Sequence, residues 1–210
     1  MFGDGNDDLI AESIVLGDYL NELPVVNYSH ESIKKQANLL FTDDQTDIEK
    51  VKAAYEFVRD QIAQSLDIES RYVPCRANDV LKYGEGVCFA KANLLAALLR
   101  SQSIPTGFCY QRLRIRGNEN CFALHALNAV FIPSISRWIR LDARGNSRGI
   151  KGEFSIDEEI LPFRPDEFLG EKDYPMIYTK PNVEAMAVLE VSNDAHKMYQ
   201  KNLPCEIIQV

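Results

Sequence analysis

The 210-residue chain is short of positive charge: 23 Lys and Arg stand against 31 Asp and Glu, a formal net charge of −8. A partner with a phosphate backbone needs clustered Lys and Arg, so no nucleic acid is expected. Long apolar runs are also missing. The longest nearly unbroken one, Ala92 to Leu99, falls far short of the roughly 20 residues that cross a bilayer, so no membrane partner is expected. Met1 to Asp8 is acidic and glycine-rich, with neither a basic start nor an apolar stretch, and does not read as a secretory signal. The five cysteines (Cys75, Cys88, Cys109, Cys121 and Cys205) are odd in number and lack CxxC spacing. That argues against a disulfide framework and against a zinc site. Asp4-Gly5-Asn6-Asp7-Asp8 begins like a calcium loop, yet the loop's last ligand position falls on Val15 where Glu is required. The expectation is a soluble, reduced, cytoplasmic protein with no metal and no cofactor.

What is present suffices for one core, since 46% of the residues are hydrophobic. Ile48, Val51, Tyr55, Val58 and Ile62 recur at helical spacing, and Thr46-Asp47-Ile48-Glu49 fits a capping box, so a helix is expected over 46–62. A weaker helical pattern covers 27–40, and 77–81 reads as a short helical turn. Phe89 to Arg100 is apolar almost all round and rich in helix formers, which predicts a buried central helix. Residues 108–116, 124–132 and 137–141 have the character of strands. The expected class is therefore α+β, a helix laid on an antiparallel sheet. The core is expected over 1–152, with an extension over 153–210 that packs on it and turns helical from about 182 to 202.

Cys88 stands where Gly84-Glu85-Gly86-Val87 gives way to that central helix. A helix N-terminus presents unpaired N–H groups and the positive end of a dipole, which favour a thiolate and can hold an oxyanion. Gly86 permits a close backbone approach. His125 and Asp142 follow in the order Cys, His, Asp. If their strands form a hairpin in which His125 faces Asp142, then Phe131 faces Ser136 and a four-residue loop, Ile132 to Ile135, remains. The carboxylate could then orient the imidazole, whereas a slip of one residue would put them on opposite faces.

Gly86-Val87-Cys88 with Ala92, His125-Ala126 with Val130, and Trp138-Ile139-Arg140-Leu141-Asp142-Ala143 together resemble the transglutaminase-like superfamily, the papain-related Cys-His-Asp enzymes, and its bacterial cytosolic members in particular. The motifs span 76–146. The resemblance implies a papain-like, transglutaminase-core fold in which Cys88 is the nucleophile, His125 the general acid and base, and Asp142 its orienter. Leu127, Ala129 and Arg144 depart from residues common in the family.

The implied function is cysteine-dependent acyl transfer on a peptide or amide substrate, by a peptidase or amidase working through a thioester. One alternative is an amine acyltransferase, a transglutaminase proper; another is a non-catalytic binding module on the same fold. No oligomeric state is assigned. Gln64, Tyr110 and Gln111 are the polar side chains that could reach the oxyanion, each read first as structural. Cys75, Cys109, Cys121 and Cys205 read as core thiols, His30 and His196 as helix-surface residues, and Arg112, Arg114 and Arg116 as a solvated strand face.

Overall fold

A computed structural model describes residues 9–115, 118–147 and 149–207. The Asp4–Asp8 segment and Arg116, both read above, lie outside these residues. In chain order the elements are β1 (Ile10–Ala11), α1 (Glu31–Leu40), α2 (Asp47–Gln61), β2 (Ala63–Gln64), α3 (Ala77–Tyr83), β3 (Glu85–Gly86), α4 (Cys88–Arg100), β4 (Thr106–Ile115), β5 (Asn118–Ile132), β6 (Arg137–Leu141), β7 (Lys172–Asp173), β8 (Met176–Ile177), α5 (Val183–Val191) and α6 (Ala195–Lys201).

The helix α2 begins as its sequence dictates. The Thr46 side chain accepts from the Glu49 N–H while the Glu49 carboxylate accepts from the Thr46 N–H, which closes the capping box. Its buried stripe of Val51, Ala54, Tyr55 and Val58 faces α4. Every residue of α4 is buried, as an all-round apolar helix requires. One core cluster joins its Leu94, Leu95, Leu98 and Leu99 to α2 and to Phe108, Tyr110, Leu124, Ala126 and Val130 of the sheet. The opposite sheet face buries Cys109, Leu127 and Ala129 with Tyr19 and Ile177.

The antiparallel sheet runs β6-β5-β4-β7. Its central hairpin differs from the sequence expectation in register: Phe131 pairs with Trp138 rather than Ser136, and the loop is Pro133 to Ser136. The loop coils into a 3-10 turn with Pro133 in its first position and Ser136 left-handed at φ 50°. Asp47, at the start of α2, accepts from the N–H and hydroxyl of Ser134 at 2.8 and 2.7 Å and pins that turn. The offset is two residues, so each side chain keeps the face it was expected to occupy.

Other boundaries move for local reasons. The first helix starts at Glu31 because His30 caps it, its ring nitrogen accepting from the Ser32 N–H. The helical stretch expected over 182–202 is two helices, because Asp194 caps a second start by accepting from Lys197 N–H. The strand face bearing Arg112 and Arg114 is half-covered rather than fully solvated. Arg112 donates to the carbonyls of Gly170 and Cys205, and Arg114 to that of Leu169. Both arginines flank the ring of Phe122.

The segment after residue 152 is tied to the sheet through Arg140, whose guanidinium contacts Glu159 at 2.7 Å and Asp173 at 2.6 Å. These carboxylates hold the guanidinium above its ordinary pKa against the cost of burial. Replacing Arg140 with Leu leaves two carboxylates without their ion-pair partner, Asp173 keeping only the Gln111 amide. It should cost about 2–4 kcal/mol, below the figure for a fully buried pair because the carboxylates are partly solvated. Urea unfolding of the variant against the parent checks this.

Candidate active site

Three elements converge on one cleft. Cys88 is the first residue of α4, and no side chain caps that helix start. Gly86, two residues earlier, is pressed against the helix: a Cβ there would lie 3.2 Å from Ala90 Cβ. The strand β3 that contains Gly86 pairs in parallel with β2, setting Gln64 beside Gly86. His125 projects from β5, and Asp142 follows the last residue of β6.

The imidazole and carboxylate meet at 2.5 Å, His125 Nε2 to Asp142 Oδ2. In the observed register Leu141 pairs with Asn128, so the contact is diagonal between neighbouring strands rather than directly across. The other oxygen, Asp142 Oδ1, accepts from the Arg144 N–H at 2.8 Å. Both side chains are buried, the carboxylate 1% exposed. Burial opposes a charged ring. The Asp142 carboxylate and the nearby Cys88 sulfur outweigh it and raise the imidazole pKa to about 10. Phe163 meets His125 edge-on, with 4.9 Å between ring centres.

The cleft above the thiol has a volume of about 450 Å³, and Gln64, Cys88, His125, Arg144 and Phe163 contribute to its lining. Of the three polar residues considered for the oxyanion, two are engaged elsewhere. The Tyr110 hydroxyl accepts from the Asn182 N–H at 2.6 Å, and the Gln111 amide donates to Asp173 at 3.3 Å. Gln64 lines the cleft, and its Oε1 is buried without a hydrogen-bond partner.

The remaining thiols are set apart from this arrangement. Burial pushes Cys75 and Cys109 up to about 12. Cys205 is exposed and Cys121 half-buried, so neither is the core thiol the sequence suggested. His30 caps α1, and His196 buries its Nε2. Among the described residues no group of three or more His, Cys, Asp and Glu side chains could hold a metal ion, and no helix is long and apolar enough to cross a membrane.

Residues 34–143 match the model of a family described as the transglutaminase-like superfamily. The chain belongs to that superfamily. Its α+β core, with the helix bearing Cys88 against the antiparallel sheet bearing His125, is a transglutaminase-like core. Two solved structures are similar. A candidate cysteine protease from Cytophaga hutchinsonii has a TM-score of 0.49 at 22% identity, covering 61% of this chain and 42% of that one. A candidate protease from Parabacteroides distasonis has a TM-score of 0.41 at 15% identity, covering 70% of this chain and 30% of that one. The chain thus spans less than half the length of either. No curated protein matches it.

Two side chains at this transglutaminase-like site escaped the sequence reading. Phe163 lies in a stretch with no periodic signal. Lys91 was hidden within an apolar helix, although a lysine in such a pattern needs buried partners and is a signal on that ground.

A histidine whose pKa is raised by folding adds stability that is fully present below its unfolded value, about 6.5, and is lost as pH rises through the folded value. The stability of the parent relative to His125→Gln should therefore be greatest near pH 6 and decline steadily toward pH 10. Urea unfolding of both proteins across that range measures it.

Proposed function

We propose that this protein is a cysteine-dependent acyl-transfer enzyme that hydrolyses an amide bond through a thioester, with Cys88 as nucleophile, His125 as general acid and base, and Asp142 as its orienter. The observation that carries this reading is the buried 2.5 Å contact between His125 Nε2 and Asp142 Oδ2. It occupies one ring nitrogen and leaves the other for the thiol.

In the proposed reaction the Cys88 sulfur, having given its proton to His125, attacks the amide carbon. The new C–S bond pushes the carbonyl π electrons onto oxygen. That oxyanion rests on the Cys88 backbone N–H and the Gln64 side-chain amide. As it collapses the C–N bond breaks, and the amine leaves with the proton from His125. Water then attacks the thioester, giving a proton to His125, and the carboxylic acid departs as the thiol is restored. Asp142 keeps the ring oriented and balances the imidazolium charge throughout. The cleft suits a peptide or amide: Leu66, Val87, Leu113 and Phe163 supply apolar walls, and Arg114 and Arg164 add positive charge to the lining. Transfer of the acyl group to an amine uses the same groups, and product analysis with and without a primary amine separates the two outcomes.

The reading is tested by the rate of iodoacetamide labelling at Cys88 against pH, followed by mass spectrometry with exposed Cys205 as the internal reference. Labelling at Cys88 should stay fast below pH 7 and fall in His125→Ala. Equal, slow labelling of Cys88 in both proteins would sink the triad. The role given to Gln64 makes a separate demand. Gln64→Ala should slow acylation by an activated ester about 100-fold, the usual loss for one oxyanion donor. Its iodoacetamide rate should not change, because alkylation forms no oxyanion.

A further inference from the structure

Lys91 is wholly buried on α4, three residues after the nucleophile and on the same side of the helix. Its position makes this a costly place for a cation. The N-terminal end of a helix repels positive charge, and burial strips the ammonium of water. What meets it is backbone. Lys91 Nζ donates to the carbonyls of Ile62 at 2.5 Å, Arg144 at 2.8 Å and Arg59 at 3.5 Å. An ammonium has three donors and no acceptor, and the three carbonyls match that inventory.

We propose that Lys91 is a positioning residue whose ammonium clamps together the turn that holds Asp142 and the chain end that leads into Gln64. The proposal rests on the triad reading above. The Arg144 peptide is gripped on both sides: its N–H donates to Asp142 Oδ1 at 2.8 Å, and its carbonyl accepts from Lys91. Asp142 Oδ2 in turn holds His125. On the other branch, Ile62 stands two residues before Gln64, and its carbonyl takes the shortest of the three Lys91 bonds. Gly145 records how tightly the turn closes. It sits at φ +104°, and a Cβ there would lie 3.3 Å from Lys91 Nζ and 3.1 Å from the Arg59 carbonyl oxygen.

The clamp needs its charge. A neutral amine keeps two donors and turns a lone pair toward the third carbonyl, which loosens one of the segments it joins. The groups facing Lys91 are Asp142 and Arg144 from the turn after β6, Asp60 from α2 and Asp67 from the loop after β2. Tyr55 of α2 also feels Asp142. Burial lowers the ammonium pKa most strongly, Asp142 opposes it, and the balance falls at about 7. The clamp is therefore complete below pH 7 and is lost as pH rises through that value.

The test is the rate of Cys88 alkylation by iodoacetamide in the parent, in His125→Ala and in Lys91→Met from about pH 6 to 9. An ordinary thiol rises monotonically toward its pKa of about 8.5, whereas the parent rate should start high, dip a few-fold as pH rises through about 7, and only then climb with thiol ionisation. Lys91→Met should follow the monotonic His125→Ala profile. A parent rate that is high at about pH 6 and shows no dip overturns the proposal, as does a Lys91→Met protein that unfolds cooperatively and keeps the high rate and the dip. If Lys91→Met does not fold, the parent profile decides alone. Failure of the triad itself looks different: the parent and His125→Ala then label alike at every pH, and both readings fall.

Discussion

A helix buried on every side must find an acceptor for each side-chain donor it carries, and the rest of this molecule is arranged around that requirement. Three polar side chains of α4 are buried: Lys91, Asn93 and Arg100. Each holds a different stretch of chain. Lys91 takes the end of α2 and the turn after β6. Asn93 donates to the Cys75 carbonyl in the segment before α3. Arg100 donates to the carbonyls of Asn21, Thr106 and Thr179. An unpaired buried donor costs more than the bond it forgoes. These segments, which lack strong periodicity of their own, are thereby fixed to the one element whose position the core determines. Cys88 is the end of that helix left facing a cleft.

The same wrapping explains how residues distant in sequence are brought to one cleft. The parallel pair β2–β3 sets Gln64 next to Gly86, and Gly86 leads directly into the helix start. On the opposite side, β5 is built into the sheet along its length, so His125 has little freedom. Asp142 lies past the end of β6 and would be the loosest of the three. Its backbone turn is instead secured by the Arg144 peptide, and Arg144 is itself tethered to Asp67 at 2.8 Å. Phe163, packed edge-on against the imidazole, limits water at a contact whose strength depends on low local polarity.

Sequence reasoning reached the elements whose signal is local. Thr46 and Glu49 announce a capping box and form one. The run from Phe89 announces a buried helix, and all of α4 is buried. The order of Cys88, His125 and Asp142 pointed to residues that line or back one cleft. What sequence reasoning missed is set by contacts between distant segments. The hairpin register depends on Asp47, on another helix, seizing the Ser134 turn. The break at Asp194 turns on a cap that the helical pattern around it conceals. Arg112 and Arg114 look solvated along their strand because the chain that covers them, from Leu169 to Cys205, carries no pattern that says where it docks. Lys91 is the plainest case, since its partners are backbone carbonyls, which leave no trace in the side-chain sequence.

The limit of the family match runs through the cleft. The family match covers 34–143, and Gln64, Cys88, His125 and Asp142 all lie within it. The far wall does not: Pro162, Phe163, Arg164, Glu171 and Leu203 come from the segment beyond. That segment is bound to the sheet by Arg140, Arg112 and the Leu124 N–H, which donates to the Pro204 carbonyl at 2.8 Å one residue before His125. Cys88, His125 and Asp142 therefore sit on the part of the molecule fixed by the core, while the far wall of the cleft sits on a part fixed by polar ties to β4, β5 and β6. Most of these ties run from the arginines of the sheet to backbone carbonyls and to Glu159 and Asp173, not to the side chains that line the cleft.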